Sequence, residues 1–162
     1  SCGAGENGSE LLGALSSLAP RARELYGIIY GDNLAHEAEA GSDGYYAVSE
    51  TAGYKSISEL KTAIGEVFSD GYSKVLFNTA FNGATLNEAV IYAKFIEKDG
   101  RLYVNPKSTE DFGEPREFDF SNARVVKANR YRAIIAVPDD DGELEVMMQK
   151  EDGEWRIDSA LY

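Results

Sequence analysis

The fold is indicated most clearly by residues 131–158, which read YRAIIAVPDDDGELEVMMQKEDGEWRID. Apolar and polar residues alternate along most of this stretch, and the pairs Asp141-Gly142 and Asp152-Gly153 interrupt the alternation. A period of two is typical of strands with one buried face, and Asp-Gly is a favoured hairpin turn. We therefore predict consecutive antiparallel strands that form a meander.

Further strands are predicted earlier in the second half of the chain. Residues 89–96 and 101–104 flank a third Asp-Gly pair, Asp99-Gly100, which predicts another hairpin. Residues 123–128 also alternate, and residues 109–115 before them are predicted to form a loop.

The first half of the chain is predicted to be mainly helical. Apolar residues recur at helical spacing over residues 10–34, and Pro20 is expected to divide this region into two helical stretches. Ser56 and Glu59 have the spacing of a capping box, which predicts the start of another helix.

Between and after these helices the pattern changes. Residues 37–53 are predicted to be a loop with a short strand at 45–48, and Ser69 is predicted to cap a further short helix. Helices followed by strands predict the α+β class. We expect a flexible tether at residues 1–9 and one α+β domain at residues 10–162.

The composition restricts the classes of partner. The chain has 28 acidic and 16 basic residues, a net charge of -12, and this excess is unfavourable for binding nucleic acid. A partner with a basic surface fits the charge better, although acidity also serves solubility alone. Four basic residues are interleaved with apolar ones and are predicted to be exposed strand positions, namely Arg124, Lys127, Arg130 and Arg132.

Cys2 is the single cysteine of the chain, and it is followed by small, polar residues. Ser1-Cys2-Gly3 resembles the end of a bacterial lipoprotein signal, in which the cysteine becomes the lipid-bearing residue. This resemblance implies lipidation of Cys2, with the membrane contacted through that lipid alone and an extracytoplasmic location. An unimportant surface thiol is the alternative.

The chemistry of the remaining candidates argues against catalysis. His36 is the single histidine, and we expect it at a helix end, where a cation is favourable. The run Asp139-Asp140-Asp141-Gly142 departs from the calcium-loop pattern, so we expect neither a metal nor another cofactor. We interpret Asp139, Asp140 and Asp141 as a solvated hairpin tip and as the candidate contact for a partner.

Tyrosines are abundant, with ten in the chain. Five of them lie on predicted core faces, although they could also line a pocket between helices and sheet. They are Tyr26, Tyr30, Tyr72, Tyr92 and Tyr103.

The closing hairpin, Gly153-Glu154-Trp155-Arg156-Ile157-Asp158, resembles the last hairpin of cystatin-like rolls in the nuclear transport factor two superfamily. Residues 54–69 and 95–104 are more specifically similar to the IseA family of secreted bacterial inhibitors of cell-wall DL-endopeptidases. The resemblance implies N-terminal helices packed on a curved antiparallel sheet.

The expected function follows from the acidity, Cys2 and this resemblance. We expect a non-catalytic, lipid-anchored module that binds a protein partner, with inhibition of a cell-wall cysteine endopeptidase as the specific activity implied. The alternative is a small-molecule binder or enzyme that uses a pocket between helices and sheet.

Overall fold

The computed structural model describes residues 3–86, 88–112 and 116–161. The protein is α+β, as predicted, and the described residues form three α-helices and ten strands. The α-helices are α1 (Gly3–Tyr30), α2 (Ile57–Val67) and α3 (Asp70–Phe77). Shorter helical segments are a π-helical turn at Asn78–Asn82 and 3-10 segments at Pro106–Phe112 and Phe120–Asn122.

The strands form two four-stranded antiparallel sheets and one separate hairpin. The first sheet has the order β1-β2-β6-β5, the second has the order β10-β9-β8-β7, and β3 pairs with β4. The bounds are β1 His36–Ala40, β2 Tyr46–Val48, β3 Ala84–Leu86, β4 Ala89–Ile91, β5 Phe95–Lys98, β6 Arg101–Val104, β7 Arg124–Ala128, β8 Arg132–Asp139, β9 Gly142–Glu151 and β10 Glu154–Ile157.

The chain divides into two compact units. The first unit comprises Ser1–Arg23, Glu66–Tyr72 and Glu114–Tyr162, and the second comprises Glu24–Gly65 and Ser73–Gly113. The second sheet lies in the first unit, and the first sheet lies in the second unit. The expected single domain at residues 10–162 stays a prediction.

Each unit has its own buried apolar residues. In the first unit, Leu11 and Leu15 of α1 are buried, and so are Ile135, Val146 and Ile157 of the second sheet. In the second unit the buried set includes Leu25, Ile64, Leu76, Phe95 and Leu102.

The predicted meander is confirmed by β7 to β10. Its strands pair in sequence order, with Ala133 opposite Met148 and Met148 opposite Ile157. The Asp152-Gly153 turn has positive φ angles of 51° and 79°, the conformation that a two-residue hairpin of matching twist requires.

The predicted helix starts are also confirmed. The Ser56 Oγ accepts a hydrogen bond of 3.0 Å from the Glu59 N–H at the start of α2. The Ser69 Oγ accepts one of 3.1 Å from the Tyr72 N–H at the start of α3. Each hydroxyl satisfies a backbone donor that the first turn of a helix leaves unpaired.

Helix α1 differs from the prediction at both of its predicted boundaries. It begins at Gly3, so residues 3–9 of the predicted tether are helical, and it continues through Pro20 instead of breaking there. Proline removes one intrahelical hydrogen bond, but Leu15, Ala19 and Ala22 are buried around it. Burial of this apolar stripe keeps the helix continuous.

Two strand predictions were wrong. Residues 37–53 contain β1, an edge strand, in addition to the predicted strand near 45–48, so β1 and β2 precede α2. Residues 89–96 form two strands, β4 and β5, because Lys94 turns into a buried polar network between them. Tyr92 lies in this break and is 65% exposed, contrary to the predicted core position.

Candidate binding surfaces

The acidic hairpin tip between β8 and β9 has a fixed shape. The Asp139 carboxylate accepts hydrogen bonds from Arg116 Nη1 at 3.1 Å and from the Asp141 N–H at 2.9 Å. The Asp139 side chain is only 2% exposed, whereas Asp140 and Asp141 are exposed. Asp139 therefore shapes the turn, and two of the three predicted partner-binding residues are accessible.

His36 has a different place from the one predicted. It begins β1, six residues beyond the end of α1, so the expected interaction with the helix end does not occur. Its Nε2 lies 3.0 Å from Asp32 Oδ1, and its Nδ1 lies 2.7 Å from the Glu37 carbonyl oxygen. The centroid of the His36 ring also lies 4.6 Å from that of the Tyr46 ring, so His36 connects β1 to the neighbouring β2.

Lys94 is the most unusual ionisable group in the second unit. Its side chain is fully buried, and its ammonium donates to the Gly31 carbonyl at 2.6 Å and to Thr109 Oγ1 at 2.7 Å. A longer bond of 3.3 Å reaches the Pro106 carbonyl. Burial lowers the pKa of Lys94 to about 8, while Asp32 acts in the opposite direction. The three ammonium protons are satisfied, which indicates a structural role at the end of α1.

Ser69 is likewise committed to structure. Its hydroxyl donates to the Asp158 carboxylate and accepts from the Tyr72 N–H. Ser69 is fully buried, so this pair joins the start of α3 to the end of β10. Both hydrogen-bonding roles of the hydroxyl are used, and it acts as a helix cap.

A concentration of exposed apolar and basic side chains lies around β7 and the start of β8. Val126 is 46% exposed, Tyr131 is 61% exposed and Met147 of the neighbouring β9 is 45% exposed. We call this region the basic-apolar surface. It consists of Val126, Lys127, Arg130, Tyr131, Arg132, Ile134 and Met147.

Strand register explains why part of this surface is contiguous. Lys127 pairs with Ile134, and Ile134 pairs with Met147, so these three side chains share one face of the second sheet. The opposite face carries the buried Ile135 and Val146, which pair with each other. The exposed face thus has an apolar centre with a cation at its edge.

A cavity of about 270 Å³ opens on this face. Lys127 and Arg132 supply positive charge to its lining, Asp158 supplies a carboxylate, and Ile134 and Met147 supply apolar area. Asn129 completes its polar lining, and its Oδ1 also accepts from the Arg132 N–H at 2.9 Å.

The charge of this surface contrasts with that of the chain. Residues 124–132 include four of the 16 basic residues and no acidic residue. Arg124 forms an ion pair of 2.8 Å with Glu143. Among the residues that the structure describes, Lys127, Arg130 and Arg132 have no carboxylate partner, although Arg130 lies 6.0 Å from the ring of Tyr131.

The sequence predicted these four basic residues at exposed strand positions, and this is confirmed for Arg124, Lys127 and Arg132. Arg130 is exposed as well, but it lies in the turn between β7 and β8. Sequence reasoning did not recognise them as a site, because Met147 joins them only through strand pairing. The sequence feature that could have identified this surface is a run with four basic residues and no acidic residue, in a chain that is acidic overall. Lys94 gave no signal, since one lysine in an apolar stretch resembles an exposed strand position.

Cys2, the predicted lipidation site, lies outside the described residues. Within residues 3–86, 88–112 and 116–161, no group of three or more His, Cys, Asp or Glu side chains is placed to hold a metal ion. None of the helices in these ranges has the length and hydropathy needed to cross a bilayer.

No protein-family model matches the chain, and no curated protein is significantly similar to it in sequence.

Proposed function

We propose that this chain is a non-catalytic module that binds a protein partner, held at the outer side of a bacterial membrane by a lipid on Cys2. The supporting observation is the basic-apolar surface, where the exposed Met147 lines one cavity together with Lys127 and Arg132, and the exposed Tyr131 directly precedes Arg132 in the chain. Tyrosine, methionine and arginine are enriched in protein interfaces. Large aromatic and arginine side chains also supply most binding energy at such contacts.

Inhibition of a cell-wall cysteine endopeptidase is the specific activity within this proposal. It rests on the similarity of residues 54–69 and 95–104 to the IseA family. The finer fold, a cystatin-like roll with one curved sheet, belongs to the same proposal. The order of β7 to β10 supports it, with the Gly153–Asp158 hairpin at the end of the meander.

The acidic tip, predicted to contact a partner with a basic surface, is the alternative contact to the basic-apolar surface. Asp139 fixes the turn, so Asp140 and Asp141 are presented without a further ordering cost on binding. A contact through this tip would weaken as salt rises, because exposed charges are screened.

A small-molecule binder is the second candidate, and one cavity favours it. This cavity, of about 420 Å³, lies in the second unit and has the volume of a ligand site. Glu50, Lys55 and Arg101 line it, together with a single tyrosine, Tyr54. The Arg101 guanidinium is already engaged, since it donates to Glu37 at 3.1 Å.

The test is capture of a partner by the purified chain from a secreted and cell-wall extract, at low and high salt. The bait is compared with a variant of the basic-apolar surface, Tyr131→Ala with Met147→Ser. The matched control is Tyr92→Ala with Val75→Ser, because Tyr92 is 65% exposed and Val75 is 52% exposed. Each captured peptidase is then assayed for activity with and without the chain.

We expect the wild type and the control to capture the same protein, and the surface variant to lose at least tenfold of it. Loss of peptidase activity in the complex would support the inhibitor. Equal capture by all three baits would contradict the proposed surface. Absence of any captured protein would overturn the binding module and favour the small-molecule binder.

Loss of capture with Asp140→Lys and Asp141→Lys, but not with the surface variant, would instead place the contact at the acidic tip.

A further inference from the structure

Strand β7 forms one edge of the second sheet, and a groove runs beside it. In the described part of the chain, β8 is its only neighbouring strand. The groove has a volume of about 520 Å³ and is lined by six consecutive residues, 125–130, with Gly8 of α1 also contributing. Successive residues of a strand point to opposite faces, so a groove lined by consecutive residues is adjacent to the backbone edge, where an extended peptide adds to a sheet.

The backbone of β7 is suited to accept another strand. An edge strand presents a row of N–H and C=O groups that its own sheet does not pair. The five residues of β7 extend over about 17 Å, which is enough for several backbone hydrogen bonds. A register irregularity between Val125 and Lys127 makes Val126 an exposed extra residue, so an added strand pairs on either side of Val126 and contacts its side chain.

The positive charge at this edge determines which kind of strand can pair with β7. Lys127 and Arg130 line the groove, and Arg132 is the first residue of β8, after the turn. A basic edge repels the same edge of a second copy, which is how native proteins avoid edge-to-edge association. The same charges attract an edge or segment of opposite sign.

We propose that the groove beside β7 binds an extended acidic peptide segment of a partner protein, which adds to the second sheet as a fifth strand. Backbone hydrogen bonds to β7 supply affinity that is independent of sequence. Carboxylates of the peptide pair with Lys127 on β7 and with Arg130 in the turn that follows it, and small apolar residues contact Val126. This inference names the partner class for the proposed binding module and so rests on it.

Other anionic occupants fit these observations less well. A nucleic acid would be repelled by the chain as a whole, which has a net charge of -12 despite this short basic run, and phosphates cannot use the strand edge as a strand does. The acidic tip of a second copy is a turn whose Asp139 is committed to Arg116, so it is not available as an extended strand.

The test is selection from a phage-displayed octapeptide library on the immobilised full chain at low salt, followed by affinity measurement with the best synthetic peptide. We expect the selected peptides to be enriched in Asp and Glu. The variant Lys127→Glu with Arg130→Glu should bind the peptide at least tenfold more weakly. The control, Lys74→Glu with Lys107→Glu, makes the same change in net charge at exposed residues of the second unit and should retain affinity.

A second peptide, N-methylated at alternate residues, tests the strand geometry. It keeps the carboxylates but cannot form the backbone hydrogen bonds, so we expect at least tenfold weaker binding. Amide NMR signals of residues 124–128 should shift only with the unmethylated peptide.

Several results would overturn the inference. They are selection of no peptide, selection without acid enrichment, equal binding by both charge variants, and equal binding of the methylated peptide. A dimer of the chain that excludes the peptide would overturn it as well.

If protein capture depends on Tyr131 and Met147 while peptides fail, the binding module stands and this inference alone is wrong. If peptides bind β7 while no protein is captured, the peptide-binding groove stands and the proposed peptidase-inhibitor role is wrong.

Discussion

Lys94 shows how one side chain can set a pH dependence. Burial favours the neutral amine, so its pKa falls from 10.5 to about 8 in the folded chain. The unfolded chain keeps this lysine protonated to higher pH and therefore binds more protons between pH 8 and 10.5. Folding stability contributed by this group thus rises with pH in that window.

We predict that Lys94→Met removes this pH dependence. The wild type should gain stability from pH 7.5 to 9.5 relative to the variant, with a full effect on the order of 3 kcal/mol across the window. Thr109 Oγ1 would still donate to the Ile29 carbonyl, so one buried link remains. Urea unfolding at several pH values measures the difference. Parallel pH profiles for the two proteins would show that the lysine is not the cause.

Asp139 has a structural role in the hairpin tip, whereas the neighbouring Asp140 is exposed on its surface. We predict that Asp139→Ala destabilises the chain by about 1–3 kcal/mol, because the Asp141 N–H loses its acceptor and Arg116 loses a carboxylate. Asp140→Ala on the same tip should change stability by less than about 0.5 kcal/mol. Denaturant unfolding of the two variants gives the comparison, and equal effects would refute the assigned roles.

At the scale of elements, α1 carries a proline that its packing tolerates. Pro20 is exposed and lies inside a helix of 28 residues. A proline in a helix interior costs about 3 kcal/mol relative to alanine, because it removes one hydrogen bond and crowds the preceding turn.

We predict that Pro20→Ala stabilises the chain by about 1–3 kcal/mol. Ser17→Ala, at another exposed position of α1, should add only a few tenths of a kcal/mol. Thermal unfolding of both variants measures the difference. No gain from Pro20→Ala would mean that the helix has relaxed around the ring at little cost.

The elements also show which parts of the fold a sequence can predict. The β9–β10 hairpin was predictable because alternation and Asp152-Gly153 are both local signals. The break within residues 89–96 was not predictable. It depends on the burial of Lys94, whose ammonium donates hydrogen bonds to Gly31 and Thr109 in distant segments of the chain. Strand β1, with the sequence HEAEA and mostly exposed side chains, lacks the apolar face that identifies a strand.

The basic-apolar surface was also only partly predictable from the sequence. The cations of residues 124–132 were visible as a run, but Met147 comes 15 residues after Arg132 and reaches them only through the β8–β9 register. Sheet register depends on turn geometry and on which face is buried, and neither can be read from one strand alone.

At the scale of the whole molecule, charge is unevenly distributed. An overall charge of -12 coexists with a basic run at residues 124–132. Such a distribution favours oriented encounter with a partner of complementary pattern, and the association rate should fall as salt rises. Apolar contacts at Tyr131 and Met147 would remain, so the dissociation rate should depend less on salt.

The most direct measurement of the central claim is photo-crosslinking from the basic-apolar surface in a cell-envelope extract. A photoreactive phenylalanine replaces Tyr131 in one protein and Tyr92, a tyrosine of similar exposure, in the other. We predict one crosslinked partner at position 131, lost when unlabelled wild-type chain competes, and none at position 92. Equal crosslinking at both positions, or none at position 131, would contradict a protein-binding role for this surface.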